Sequence, residues 1–126
     1  MERIRIIQTV LLRLLAVFFV VAGVYHFAAE DFYLRMMPPY IPWHPAMVAI
    51  SGAAEIGLGL AVLYPRTRQL AGWGLIALLI AVFPANVYMA QHAELFPKIT
   101  QASLNVRLPF QALFIAWAWW TTSGDR

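Results

Sequence analysis

Four apolar stretches of roughly 18–23 residues fill most of this 126-residue chain, and about 20 residues cross a hydrocarbon core as a helix. Such spacing leaves little room for a soluble module. The sequence is 62% hydrophobic and 12% charged, against about 25% charged in soluble domains. A soluble domain this short has too little interior to hide that apolar surface. The bilayer is the natural solvent for the excess. The expectation is one all-α domain over residues 1–126, a four-transmembrane-helix bundle with antiparallel neighbours. Its helices are placed at about 6–28, 45–63, 69–91 and 108–122, with prolines marking several boundaries.

Lysine and arginine set the orientation. With the N-terminus inside, the cytoplasmic side holds Arg3, Arg5, Arg66, Arg68 and Arg126, with Arg13 on the inner half of the first helix. The outer side holds Arg35, Lys98 and Arg107. That bias favours an N-in, C-in topology. Tyr33, Tyr40, Trp43, Tyr64, Trp73, Trp119 and Trp120 lie near helix ends and suit interfacial belts. The net charge of +3 therefore reads as a topology signal, and no nucleic-acid partner is expected. Arg3 and Arg5 before an apolar run resemble a signal peptide. The run is too long, Arg13 interrupts it, and Phe27-Ala28-Ala29 is a poor cleavage site.

Cysteine is absent, which excludes disulfides, thiolate metal sites and CxxC redox chemistry within the chain. No glycine-rich phosphate loop, paired-histidine metal spacing or nucleophile elbow occurs. The outer segment 29–44 contains Met36-Met37-Pro38-Pro39-Tyr40-Ile41-Pro42-Trp43, too rich in proline to be helical throughout. It is expected on the membrane surface or over the outer mouth of the bundle. Small residues at i, i+4 spacing (Ala49, Ala53, Gly57, Ala61 on the second helix; Ala77, Ala81, Ala85 on the third) suggest that these two helices pack closely.

The polar residues within the spans carry the functional reading. Glu55 sits near the middle of the second helix, where a carboxylate must face the bundle, find a partner or stay protonated. It reads either as a helix–helix lock or as a ligand contact. Ser51 lies one turn earlier on the same face. Pro84 should kink the third helix by freeing the carbonyl of Ile80, and Asn86 follows it with donors and acceptors. Arg107 and Gln111 share one face of the fourth helix, and Arg107 either snorkels outward or points inward toward an anion. His26 lies near the outer end of the first helix. In the antiparallel topology, His26, Asn86, Arg107 and Gln111 fall in the outer half, with Glu55 at the floor. The expected site is therefore a polar-floored cavity of Glu55, Asn86, Arg107, Gln111, His26, Ser51 and Tyr88, with Phe83 and Phe110 as further walls. His44 and His92 read as solvated.

Several of these segments resemble the DoxX-like family of bacterial membrane proteins. They are Ile50 to Gly59, Pro65-Arg66-Thr67-Arg68, Phe83 to Met89, Arg107 to Gln111, and Met37 to Pro42. The similarity covers nearly the whole chain. It implies a four-helix, multi-pass protein of the bacterial inner (plasma) membrane. The family takes its name from a subunit of a thiosulfate:quinone oxidoreductase, and a vertebrate branch, the NACHO receptor chaperone, assists assembly of membrane receptors. Glu55, Asn86, Arg107 and Gln111 match the family pattern, with no catalytic role attached to them.

The function expected is non-enzymatic, with no catalytic or metal-ligating residue assigned. The bundle would hold a lipid-like or quinone-like molecule, or act as a chaperone or scaffold for a partner membrane protein, as itself or as a homo-oligomer. No tightly bound cofactor is expected beyond a bound quinone or lipid. Two alternatives stand beside this reading. One is an accessory membrane subunit of a quinone-linked oxidoreductase. The other is an intramembrane lipid isomerase, with Glu55 and His26 moving the proton.

Overall fold

A computed structural model describes residues 2–123, and these are helical wherever they are regular. In chain order the elements are α1 (Glu2–Ala28), α2 (Glu30–Met36), α3 (His44–Ala61), α4 (Pro65–Gln91), a 3-10 turn (Ala93–Leu95) and α5 (Gln101–Thr122). Arg126, counted above among the inner cations, lies outside the described residues. Two helices, α1 and α4, are long and apolar enough to cross a membrane, at 27 residues each. In α3 the apolar run is diluted by His44, Pro45 and Glu55, and in α5 by Asn105, Arg107 and Gln111.

The boundaries follow from local chemistry. Pro65 opens α4 and Pro45 lies in the first turn of α3, where a missing N–H costs nothing. Trp43, which precedes α3, holds φ at 53°, the left-handed region that turns the proline-rich segment into the helix. At the far end of α3, Thr67 Oγ1 donates to Ala61 O (2.7 Å), and Arg68 donates to the carbonyls of Val62 (2.8 Å) and Leu63 (3.1 Å). These bonds close the turn into α4 by satisfying carbonyls that a helix end leaves free.

Two segments differ from the sequence reading. Residues 30–36 form the short helix α2, which begins at acidic Glu30-Asp31 as a helix N-terminus favours. The last helix begins at Gln101 rather than near Leu108, capped by Thr100, whose hydroxyl accepts from Ser103 N at 3.1 Å. Pro109 therefore lies inside α5 instead of marking its start.

The four long helices form a ring in the order α1, α3, α4, α5, with α5 returning to α1. Facing positions run in opposite directions: Gly23 meets Gly52 while Gly59 meets Ala16, and Asn86 meets Gln111 while Gly72 meets Thr122. The tight pairs are α1 with α3 and α4 with α5, not α3 with α4 as the alanine stripes suggested. Ala53, Gly57, Ala77 and Ala81 face outward. The glycines that matter are others. A Cβ on Gly23 would lie 2.6 Å from the Gly52 carbonyl oxygen, and one on Gly52 would lie 2.7 Å from the Cβ of His26. A methyl group at either position would force the two helices apart.

The half of the ring nearer the α1 N-terminus, here the inner half, is apolar and close-packed. Leu12, Leu15, Phe19, Val62, Leu75 and Ala118 form its buried core. A smaller cluster of Met89, Phe96 and Leu104 seals the outer end. The outward faces are apolar as well: Ile6, Val17, Ile50, Leu70, Ile80 and Leu113 are each more than half exposed. An apolar perimeter of this extent marks an interaction surface or a membrane face.

Replacing Gly23 by valine is expected to lower thermal stability, at a cost of about 1–3 kcal/mol for overpacking against backbone. Gly57→Ala meets open space, and is expected to be neutral or to stabilise by up to about 1 kcal/mol. Melting curves of the two purified variants check the helix pairing: equal destabilisation would contradict it.

Candidate functional site

Between the apolar core and the outer cluster lies a cavity of about 190 Å³. Each long helix contributes to its wall. Phe18, Phe19, Ala22 and His26 come from α1, and Val48, Ser51 and Glu55 from α3. Leu79, Val82, Ala85 and Asn86 come from α4, and Arg107, Gln111 and Phe114 from α5. Tyr33 and Met36 of α2, with Met37 beyond it, close the cavity from outside. His44 Nε2 lies 3.0 Å from Pro38 O and ties this cover to the start of α3.

Glu55 is 8% exposed and points into the bundle. Its Oε2 lies 3.1 Å from His26 Nδ1. That nitrogen also lies 2.9 Å from the Ala22 carbonyl oxygen. A hydrogen on Nδ1 is donated to Ala22 O, the nearer of these two oxygens. Glu55 Oε2 is left as a buried oxygen without a hydrogen-bond partner among the described residues. Buried polar atoms are almost always satisfied, so an orphan in a cavity wall points to something absent that donates to it. The His26 ring stacks on Tyr33, with centroids 4.1 Å apart. Burial pushes the Tyr33 phenol up; the nearby Glu55 adds to the rise and Arg107 opposes it.

On the opposite wall, Asn86 Nδ2 donates to Gln111 Oε1 at 2.7 Å, and both side chains are buried. Gln111 Nε2 donates in turn to the Leu79 carbonyl, beside the Ile80 carbonyl that Pro84 leaves without its helical donor. The two amides thus staple α4 to α5 at the proline. Arg107 lines the cavity and forms no ion pair among the described residues, with Glu55 or with any other carboxylate. A charge so placed is a natural partner for an acceptor on a bound molecule. No group of three histidine or acidic side chains gathers as a metal site among the described residues.

Six of the seven residues expected at the site line this one cavity: Glu55, Asn86, Arg107, Gln111, His26 and Ser51. Tyr88 does not. It stacks on His92 with centroids 4.1 Å apart, and the half-buried His92 ring also lies 3.0 Å from Tyr88 O. The aromatic walls are Phe18, Phe19 and Phe114 rather than Phe83 and Phe110. Phe110 instead lines a wider hollow of about 530 Å³ along α5, which shares Asn86, Arg107, Gln111 and Phe114 with the cavity. The sequence reading set the segment 29–44 on the membrane surface or over the mouth of the bundle but did not single out Tyr33, Met36 and Met37 within it, since no periodic signal ties a short helix to the bundle beneath it.

Gln111→Leu is expected to cost about 1–3 kcal/mol by leaving the Asn86 amide buried and unpaired. The Asn86→Leu/Gln111→Leu double variant should cost less than the two single changes together, by about 0.5–3 kcal/mol. Additive losses in a double-mutant cycle would show that the staple is not a unit.

No curated protein and no solved structure matches this chain. A sequence profile matches residues 15–122, and the chain therefore belongs to the family described as Domain of unknown function (DUF8561).

Proposed function

We propose that this chain is a four-span, N-in/C-in protein of the bacterial inner membrane, DoxX-like in kind, which binds the head group of a lipid-like or quinone-like molecule inside its bundle. One observation carries the binding reading: Glu55 Oε2 is buried, with His26 Nδ1 at 3.1 Å but no hydrogen-bond partner among the described residues, in the wall of a cavity that also holds Arg107, which makes no ion pair among them. Apolar walls with a few convergent polar groups are the usual build of a small-molecule site.

The span assignment is supported by geometry. At 18 and 22 residues, α3 and α5 extend about 27 and 33 Å, enough for a core of about 30 Å. They lie antiparallel against α1 and α4, so a membrane crossed by one pair is crossed by both. The orientation rests on the arginines at the α1 N-terminus and the α3–α4 turn (Arg3, Arg5, Arg13, Arg66 and Arg68), which outnumber Arg35, Lys98 and Arg107 toward the other end.

The size of the cavity limits the occupant. At about 190 Å³ it is smaller than a whole lipid site, since ligand pockets run about 300–1,000 Å³. A ring or small polar head fits, with its tail leaving along the α5 hollow past Phe114 and Phe110. The groups present ask for a hydroxyl that donates to Glu55 and an oxygen that accepts from Arg107. A quinol or a hydroxylated lipid head carries both.

Native mass spectrometry of protein purified from its membrane is expected to show a small hydrophobic adduct. Glu55→Gln and Arg107→Gln should each lower its occupancy about tenfold or more, the loss expected for a hydrogen bond to a charged group. A wild-type protein carrying no adduct would remove the binding reading. For the topology, a C-terminal green fluorescent protein fusion should fluoresce and a C-terminal alkaline phosphatase fusion should be inactive; the reverse pattern would invert the orientation.

The 3.1 Å approach of His26 to Glu55 favours one second reading, an intramembrane lipid isomerase. An acid–base pair on an apolar wall is what proton abstraction and return require. Incubating the protein with an unsaturated lipid in heavy water should then place deuterium in the lipid. Incorporation that persists in Glu55→Gln would eliminate this mechanism.

A further inference from the structure

At the other end of the bundle, a hollow of about 300 Å³ is lined by Arg5, Thr9, Leu12, Arg13, Leu63 and Arg68. Arg5, Thr9 and Arg13 follow one another at i, i+4 spacing on α1 and so share a face. The two arginines lie about 12 Å apart along the helix axis. Arg68 comes from the first turn of α4. Its guanidinium is held by the Val62 and Leu63 carbonyls at 2.8 and 3.1 Å. A guanidinium has five N–H donors, so these two bonds fix its direction and leave others free.

No carboxylate pairs with any of the three arginines among the described residues. Of the described acidic residues, Glu30, Asp31 and Glu94 belong to the opposite end, Glu55 to the interior, and only Glu2 to this end. Three cations converge on one hollow with no ion-pair partner among the described residues, and Leu12 and Leu63 give it an apolar side. A lone topology signal needs no such convergence: Arg3 and Arg66 mark the same end without lining the hollow.

We propose that this hollow is a binding site for a phosphate group, with the arginines as donors, Thr9 as a further polar contact, and the leucines against the carbon chain that bears the phosphate. Guanidinium groups match phosphate geometry and are less strongly hydrated than an ammonium. The chemistry is shared by an anionic phospholipid head group and by a soluble phosphate compound. The lipid source rests on the membrane reading above, whereas phosphate binding itself does not. The hollow shares no residue with the Glu55 cavity, so the two sites fail or stand independently.

The test is thermal unfolding of the full chain in neutral detergent. One arm adds phosphatidylglycerol against phosphatidylcholine, and the other adds inorganic phosphate against chloride at equal ionic strength. Three proteins are compared: wild type, Arg5→Gln/Arg13→Gln, and Arg3→Gln/Arg66→Gln, which removes the same charge outside the hollow. Arg13→Gln alone serves should the double variant fold poorly. Phosphatidylglycerol should raise the melting temperature of wild type and of the Arg3/Arg66 variant, with affinity falling about 25-fold in the Arg5/Arg13 variant, at about fivefold per arginine. The same variant pattern with inorganic phosphate alone would support the site and assign it to a soluble phosphate. Equal loss in both double variants, or no selective response in either arm, would overturn the proposal.

Discussion

The contact on which the site depends is the one between Gly23 of α1 and Gly52 of α3. With no Cβ on either residue, the two backbones approach within a distance that any side chain would block. The same absence at Gly52 makes room for His26, whose Cβ sits where a Gly52 side chain would be. One turn further along α3, Glu55 meets the His26 ring. A carboxylate in an apolar bundle is tolerated only where protein shelters it. Here the shelter is built from missing side chains, which bring an imidazole close enough to cover the charge without taking up its hydrogen-bonding capacity. Glu55 is consequently both buried and unsatisfied.

The second wall solves a different problem. Pro84 removes the helical donor to the Ile80 carbonyl, one residue beyond the Leu79 carbonyl that Gln111 binds. Gln111 reaches across to this stretch of α4 and is itself held by Asn86. The two amides stabilise the proline-containing turn and fix α5 against α4. In doing so they present a polar edge to the cavity and hold the face of α5 that carries Arg107. Helix–helix contact and site construction use the same side chains.

These two walls divide the bundle into halves of different character. Inward of Phe19 and Leu79 the helices interdigitate through leucine, isoleucine, alanine and valine, and the interior is apolar. Outward of them, ionisable and amide groups replace aliphatic ones and a void opens. A firm inner half holds the helices in register so that an outer half can remain hollow. The Met36-Met37 cover adds unbranched thioether side chains, which adapt to an occupant more readily than branched ones.

The sequence by itself determined the helical class and the inward direction of Glu55, because backbone hydrogen bonding and charge burial in an apolar chain admit few solutions. It also placed Ser51, Asn86, Arg107 and Gln111 on a common cavity with His26, since antiparallel alternation brings their heights together. Which helices touch was decided only by the tertiary structure. Alanine and glycine stripes occur on several faces, and Ala53, Gly57, Ala77 and Ala81 of those on α3 and α4 point outward while Gly23 and Gly52 make the close contact. The start of α5 was equally hidden, because Pro109 resembles a helix opening until Thr100 is seen to cap the chain two turns earlier. Tyr33 and Tyr88 exchanged roles for the same reason: an aromatic ring at a helix end has many neighbours within reach, and packing in three dimensions selects one.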